Sequence, residues 1–179
     1  MANPPLLIVP GRGGSGPDHW QSLWTEQFAA VRVQQQEWDA PVAADWIATL
    51  DAAIAALPTP PVIIAHSLGC ILVAHWAQRH SRPVSGAMLV ALPDTDSDLH
   101  SAPEAHVFRP IPRQRLPFPA VVVASTTDPR CDISRARIIA ANWGADFYDI
   151  GDKGHINIAA GFGPWPEGED ILYDFLAGL

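Results

Sequence analysis

A single serine stands between two apolar runs of different periodicity. Before it, residues 62–64 are β-branched and apolar, which is typical of a buried strand. After it, apolar side chains recur at helical spacing: Leu68, Ile71, Leu72 and Trp76. Ala65 and Gly69, two positions to either side of Ser67, are small enough for a very tight strand-to-helix turn. Because such a turn exposes the hydroxyl at a helix N-terminus, we predict a nucleophile rather than a serine that only caps a helix.

A carboxylate that could assist this serine follows another apolar run, at residues 120–124. Asp128 lies just beyond that run, where it can accept the Nδ1–H of a histidine and stabilise the imidazolium ion. Taken alone, an Asp-Pro pair such as Asp128-Pro129 is more typical of a turn. Asp94 follows the preceding apolar run and is the alternative acid. We favour Asp128 for this role and keep Asp94 open.

The matching base is expected in the loop after the last predicted strand. His155 lies there, in a loop whose glycines allow an imidazole to reach the serine. Of the seven histidines, it alone follows a strand end downstream of Asp128. The order nucleophile, acid, histidine is the one expected with this type of turn. The predicted triad is therefore Ser67, Asp128 and His155, whereas His19, which opens the first helix, is expected to line the pocket.

The negative charge of a tetrahedral intermediate needs preorganised N–H donors, each worth roughly 3–4 kcal/mol. The backbone N–H of Leu68 is one candidate, because it begins the helix after the serine. The glycine-rich loop after the first apolar run can supply the second, and Arg12 is the best candidate there. Gly11 lets that loop approach a substrate oxygen closely. Trp165, between two prolines near the His155 loop, is also expected at the substrate pocket.

The same glycine-rich loop could instead cradle a phosphate. However, it lacks the Lys-Ser/Thr pair of a P-loop, and the acidic residue of a dinucleotide site has no clear counterpart at the end of the next strand. We therefore expect no nucleotide and no other organic cofactor. Cys70 and Cys131 show no metal-ligand spacing, so no metal is expected, and a pair of reduced thiols is typical of a cytoplasmic protein.

These residues need a scaffold, and the apolar pattern alternates between strand and helix along the chain. Strands are predicted over residues 6–9, 31–38, 62–64, 87–92, 120–124 and 147–150. Helices are predicted from residues 15–18 to Phe28, and over 45–57, 68–79, 134–143 and 169–176. Strands that are apolar from end to end and separated by single helices predict a mostly parallel sheet of about six strands with helices on both faces. The expected fold class is three-layer α/β.

One long segment, residues 93–119, is polar, rich in proline and without clear periodicity. Loops of this length in a compact domain are usually functional or mobile. Whether this segment folds over the site as a lid is left open, and we expect a shallow pocket for small substrates. No repeat or linker divides the chain, so a single domain over residues 1–179 is predicted.

The charge and hydropathy of the chain argue against several classes of partner. The net charge is −8, with one lysine and no basic stripe, which argues against nucleic acid. No apolar run approaches the ~18–20 residues of a membrane-spanning helix. Residues 1–5 carry no positive charge ahead of a short apolar run, so no signal peptide is expected. We expect a cytoplasmic protein with a small-molecule acyl substrate. The sequence leaves the oligomeric state open, and a monomer is compatible with it.

Four sequence blocks, in chain order, resemble one known family. They read VPGRGGSGPDHW at residues 9–20, AHSLG at 65–69, STTDP at 125–129, and GHIN at 154–157 followed by GFGPWP at 161–166. The chain resembles small serine hydrolases of the α/β-hydrolase superfamily, in the group of retinoblastoma-binding protein 9 and its bacterial YdeN-like relatives. The resemblance implies a minimal α/β-hydrolase core without a large cap and a triad at Ser67, Asp128 and His155. The Leu-x-Cys-x-Glu motif of retinoblastoma binding is absent, because neither cysteine is followed two residues later by glutamate.

Three functions are compatible with these residues. The leading one is a serine hydrolase that acts on small esters or amides through an acyl-enzyme. The alternative is a catalytically silent binding or regulatory protein, for which the seven tryptophans could form an apolar surface. A lyase or perhydrolase with the same triad is the third, because a fold and a triad do not fix the reaction. Four of the tryptophans lie on helix positions that predict core packing: Trp20, Trp24, Trp46 and Trp76.

Overall fold

The computed structural model describes residues 4–179. Residues 1–3, on which the prediction of no signal peptide partly rests, lie outside the described residues. Six strands form the sheet: β1 (Leu6–Val9), β2 (Val31–Arg32), β3 (Val62–His66), β4 (Gly86–Val90), β5 (Ala120–Ala124) and β6 (Asp146–Asp149). Their order is β2-β1-β3-β4-β5-β6, and every neighbouring pair is parallel. The predicted parallel sheet of about six strands is confirmed.

Among the described residues, four α-helices connect strands: α1 (Trp20–Gln27), α2 (Ala43–Ala55), α3 (Leu68–Arg79) and α4 (Ile133–Trp143). A fifth, α5 (Pro166–Ala177), follows β6. Two short 3₁₀ helices, Pro103–Phe108 and Ile158–Ala160, lie in the loops after β4 and β6. Within residues 4–179, no helix is both long enough and apolar enough to cross a bilayer.

The core is divided into two layers by the sheet, because side chains of a strand alternate between its faces. In β1, Leu7 and Val9 belong to the layer that also contains side chains of α2, α3 and α4, whereas Ile8 belongs to the layer that contains side chains of α1 and α5. The first layer contains Trp46, Trp76 and other large apolar side chains, and the second is built around tryptophans of α1. Helices therefore cover both faces, which confirms the predicted three-layer architecture.

The ends of some elements differ from the prediction. The strand predicted over residues 31–38 ends at Arg32, because β2 is an edge strand that pairs only with two residues of β1. β4 ends at Val90 rather than residue 92, because Ala91 has a φ of 52° that extended backbone cannot continue. Helix α1 begins at Trp20 rather than at residues 15–18, and the Nδ1 atom of His19 caps it by accepting the Gln21 N–H at 3.1 Å.

The long segment over residues 93–119 is fixed to the body of the protein at several points. Phe108 is fully buried in the first core layer, and its carbonyl accepts a hydrogen bond from His75 Nε2 at 2.8 Å. Trp143 Nε1 donates to the Pro112 carbonyl at 2.7 Å. Buried side chains and satisfied backbone groups are typical of a rigid wall rather than of a mobile lid.

Candidate active site

The carboxyl edge of the sheet gathers residues that are far apart in the chain. Gly11 and Arg12 follow β1, Ser67 follows β3, Asp128 follows β5 and His155 follows β6. Open α/β sheets place their ligand sites at this edge, because the loops that leave parallel strands meet there. The topology therefore brings the predicted triad and the glycine-rich loop to one side of the molecule.

Ser67 occupies a sharp turn between β3 and α3. Its φ is 52° and its ψ is −126°, a combination that residues other than glycine rarely adopt. The Ser67 N–H donates to the Val90 carbonyl of β4 at 2.9 Å, and the Cys70 N–H donates to the Ser67 carbonyl at 2.9 Å. These two hydrogen bonds fix the strained backbone on both sides, so the hydroxyl is presented at the start of the helix.

The small residues around the serine are explained by close contacts. A Cβ atom on Gly69 would lie 2.4 Å from the Val9 carbonyl oxygen and 2.9 Å from that of Pro10, distances no side chain tolerates. Ala65, on the other side of the turn, is fully buried. Helix α3 can thus pass directly beside the end of β1 only because residue 69 has no side chain.

The three predicted triad side chains form a continuous hydrogen-bonded chain. Ser67 Oγ lies 2.8 Å from His155 Nε2, and His155 Nδ1 lies 2.9 Å from both carboxylate oxygens of Asp128. Because a carboxylate only accepts, Nδ1 carries the proton and Nε2 is free to accept from the serine hydroxyl. The Asp128 side chain is 4% exposed and that of His155 is 11% exposed, so solvent does not compete strongly for these bonds.

Hydrogen bonds between two loops hold His155 in place. Ser125 Oγ accepts the Lys153 N–H at 2.9 Å, and Thr127 Oγ1 accepts the Gly154 N–H at 3.1 Å. The hydroxyls of the loop after β5 thereby fix the backbone of the loop after β6, directly before the histidine. The aspartate and the histidine are consequently positioned as one unit.

The alternative acid, Asp94, is engaged elsewhere. One of its carboxylate oxygens accepts from Arg135 Nε of α4 at 3.2 Å, and its backbone N–H donates to the Arg130 carbonyl at 2.8 Å. Its side chain makes no hydrogen bond to His155, whereas Asp128 makes two. The geometry therefore favours Asp128 as the partner of the histidine.

Two backbone N–H groups beside Ser67 are available as donors. In the glycine-rich loop, the Gly13 N–H donates to the Trp38 carbonyl and the Gly14 N–H to the Gly11 carbonyl. Within the described part of the chain, by contrast, the N–H groups of Arg12 and Leu68 have no acceptor. A Cβ atom on Gly11 would lie 3.0 Å from the Leu68 nitrogen, so this loop lies directly against the start of α3.

A shallow cleft of about 540 Å³ opens above the serine. Ser67, His155, Leu68 and Arg12 lie on its wall, so four of the predicted site residues border the same space. Ala102 and Ala105, from the fixed segment 93–119, form another part of the wall.

Two residues predicted at the pocket do not line this cleft, which corrects the prediction. His19 is 4% exposed, because its ring is packed between Trp20 and His66. Trp165 is 2% exposed, and its ring is stacked on Trp24 at 5.8 Å in the second core layer. Both residues lie near site loops in the sequence, but packing against residues from distant segments buries their side chains in the core.

His66 is a site residue that sequence reasoning missed. Its Nε2–H donates to the backbone carbonyl of His155 at 3.0 Å. Burial lowers the pKa of His66 well below its usual range and lowers that of His19 to about 4, so both rings stay neutral near pH 7. The rings of His19, His66 and His155 form a row, with centroids 4.8 and 5.1 Å apart. No local sequence signal indicates this contact.

The fold is similar to that of several solved hydrolases. A protein from Pectobacterium atrosepticum described as a YdeN-like hydrolase is 30% identical, covering 98% of this chain and 91% of its own, with a TM-score of 0.88. The ydeN gene product from B. subtilis is 20% identical, covering 97% of this chain and 99% of its own, with a TM-score of 0.79. An esterase from a Rhodococcus species has a TM-score of 0.70 at 15% identity, with 99% and 91% covered.

The sequence comparisons agree with this structural similarity. No curated protein matches the chain. The sequence model of the serine hydrolase family, however, matches residues 6–174, which is nearly the whole chain. The predicted relationship to small serine hydrolases of the YdeN-like group is confirmed. The chain therefore belongs to the serine hydrolase family and is an enzyme with hydrolase activity.

Proposed function

We propose that this enzyme hydrolyses small esters or amides through an acyl-enzyme formed on Ser67. The observation that carries the proposal is the unbroken chain of hydrogen bonds from Ser67 Oγ through His155 to Asp128. In this arrangement, Oγ attacks the substrate carbonyl carbon while His155 Nε2 takes the hydroxyl proton. The imidazolium then gives that proton to the leaving group, and the carbon–heteroatom bond breaks. Water, deprotonated by His155, releases the acid and restores Ser67.

The oxyanion of each tetrahedral intermediate is assigned to the backbone N–H groups of Arg12 and Leu68. Both donors lack an internal acceptor among the described residues and lie beside the serine. Gly11 supports this assignment, because any side chain there would meet the turn at Ser67. Donors fixed in advance stabilise developing charge without reorganising during the reaction.

The alternative of a silent binding protein has less support. Among the described residues, no tryptophan is exposed: Trp38 is half-buried, and the other six are at most 2% exposed. The core positions predicted for Trp20, Trp24, Trp46 and Trp76 are confirmed. The apolar recognition surface that motivated the alternative is therefore not formed by these side chains.

Labelling with a fluorophosphonate probe tests the proposal. The probe forms a covalent bond only with an activated serine, so we expect the wild type to be labelled and Ser67→Ala to remain unlabelled. Labelling of both proteins at the same rate would contradict the assignment of Ser67. Product analysis with p-nitrophenyl acetate then separates hydrolysis, which releases acetate, from peroxide-dependent acyl transfer.

His66 is expected to position the base. His66→Ala removes the donor to the His155 carbonyl, and we expect kcat for p-nitrophenyl acetate to fall about 10- to 100-fold, since small misplacements of a catalytic group have effects of this size. KM should change little, because His66 does not border the cleft. His66→Gln, which can keep an N–H donor, should recover part of the loss.

His75→Ala is the matched control, because His75 is also a buried histidine whose Nε2 donates to a backbone carbonyl, that of Phe108. Circular dichroism and thermal unfolding of both variants measure any general loss of stability. If kcat falls equally in the two variants, or if His66→Gln is no better than His66→Ala, His66 has no specific positioning role.

A further inference from the structure

The charged side chains that line the cleft have one sign. Among the described residues, its lining includes Arg12 and Arg130 but no aspartate or glutamate. This differs from the chain as a whole, which has 19 acidic and 11 basic residues. A cationic cleft on an anionic protein attracts anions locally, because field lines are concentrated in concave sites.

The two arginines approach the serine from opposite sides. Arg12 follows β1 and Arg130 follows β5, and in the sheet these strands lie on either side of β3, which carries Ser67. Neighbouring strands are about 4.8 Å apart, so the loops start about one strand spacing and about two strand spacings from the serine. A long, forked guanidinium group can cover such a distance and bind a carboxylate with two parallel hydrogen bonds.

These cations are largely uncommitted within the protein. Arg12 lies 3.8 Å from Glu104, and the two side chains are 36% and 46% exposed, so this ion pair is weak. Within residues 4–179, Arg130 has no carboxylate within 4.0 Å of its guanidinium. Arg135, by contrast, is tied to both Asp94 and Asp96. Arg130 at the cleft thus has a free positive charge, whereas Arg135, which does not line the cleft, is paired.

We propose that the substrates of this enzyme carry a carboxylate, which Arg130 binds with the help of Arg12. The proposal rests on the proposed function, because it names the class of ester or amide that enters the same cleft. The anionic group lies beyond the reacting carbonyl, on the acyl or the leaving-group side, so that Ser67 still reaches the carbonyl carbon. Hemi-esters of short dicarboxylic acids are the simplest compounds of this class.

Two p-nitrophenyl esters of equal chain length test the proposal: the mono-ester of glutaric acid, which is anionic, and the pentanoate, which is neutral. We expect kcat/KM to be about tenfold higher for the glutarate, as one charge-assisted hydrogen-bonded contact provides. Raising NaCl should reduce this ratio, because salt screens exposed charges.

Variants identify the responsible side chain. Arg130→Gln should bring the glutarate-to-pentanoate ratio close to one, and Arg130→Glu should invert it. Arg137→Gln is the matched control, because Arg137 is an exposed arginine of α4 whose partner is Asp149, outside the cleft, and the ratio should stay unchanged. A glutarate-to-pentanoate ratio of one in the wild type, or a ratio that Arg130→Glu does not change, overturns the carboxylate proposal. If hydrolysis still depends on Ser67 in that case, the proposed function stands.

If neither ester is hydrolysed, the proposed function is overturned, and the carboxylate proposal is then tested by binding alone. Calorimetric titration of the Ser67→Ala protein with monomethyl glutarate and with methyl pentanoate then measures anion preference without turnover. Tighter binding of the glutarate that disappears in Ser67→Ala/Arg130→Glu supports a carboxylate site. Equal binding of the two compounds overturns it.

Discussion

Ser67→Ala is expected to lower kcat for p-nitrophenyl acetate by about 10³- to 10⁶-fold, the range seen when a serine nucleophile is removed from a triad. The hydroxyl is the only triad atom that bonds to the substrate, so no neighbouring group can replace it. The oxyanion donors remain in the variant, and a small residual rate over water is expected from them. Initial rates, measured at enzyme concentrations high enough to detect this residual activity, provide the test.

The left-handed backbone at Ser67 requires a second variant. With a φ of 52°, alanine keeps the strain of the turn, whereas glycine relieves it. Ser67→Gly should therefore be at least as stable as the wild type and equally inactive, which separates loss of the nucleophile from loss of the fold. Ser85→Ala, which removes a hydroxyl that donates to the Pro60 carbonyl, is the control that should keep full activity. Substantial hydrolysis by both Ser67 variants would exclude this serine as the nucleophile.

Asp128→Asn is expected to lower kcat by about 10⁴-fold while leaving the fold intact, as replacement of a triad aspartate does elsewhere. The carboxylate now accepts the Nδ1–H of His155. An amide at the same place can donate its N–H to Nδ1, which moves the imidazole proton to Nε2. The histidine would then have no lone pair facing Ser67 and could not take the hydroxyl proton.

Asp94→Asn is the matched control for this prediction. It changes the other carboxylate that follows a central strand, and that side chain is bound to Arg135 rather than to His155. Steady-state rates of the two variants, measured with the same ester, should differ by orders of magnitude. If Asp94→Asn is the inactive one, the acid of the triad has been assigned to the wrong strand.

The interior of the sheet was predictable because its strands are buried on both faces. β1 and β5 have the bounds that their apolar runs predict, since a continuous apolar stretch has no other place to lie in a domain of this size. β2 was not predictable in length, because an edge strand is stabilised by one neighbour only and β1 offers it few partners. The left-handed φ of Ala91, which ends β4, likewise has no signal in its residue type.

The serine could be located from five consecutive residues, because the tight turn imposes its own steric pattern. The sequence favoured Asp128 but left Asp94 open, since both follow buried strands. The hydrogen bonds of Asp128 to His155 and the contact of Asp94 with Arg135 distinguish them. His19 and Trp165 were placed at the pocket by their position near site loops. Their burial depends on partners from distant segments, His66 for His19 and Trp24 for Trp165, which no local pattern encodes.

The fixed segment over residues 93–119 bears on the physical state in which a substrate is presented. Lipases that work at oil–water interfaces carry a lid that opens when it meets the lipid phase, and their rates rise steeply once micelles form. Here the corresponding wall is anchored by buried Phe108 and by hydrogen bonds to α3 and α4. We therefore expect no interfacial activation, so that the rate follows the concentration of dissolved substrate and does not rise when micelles form.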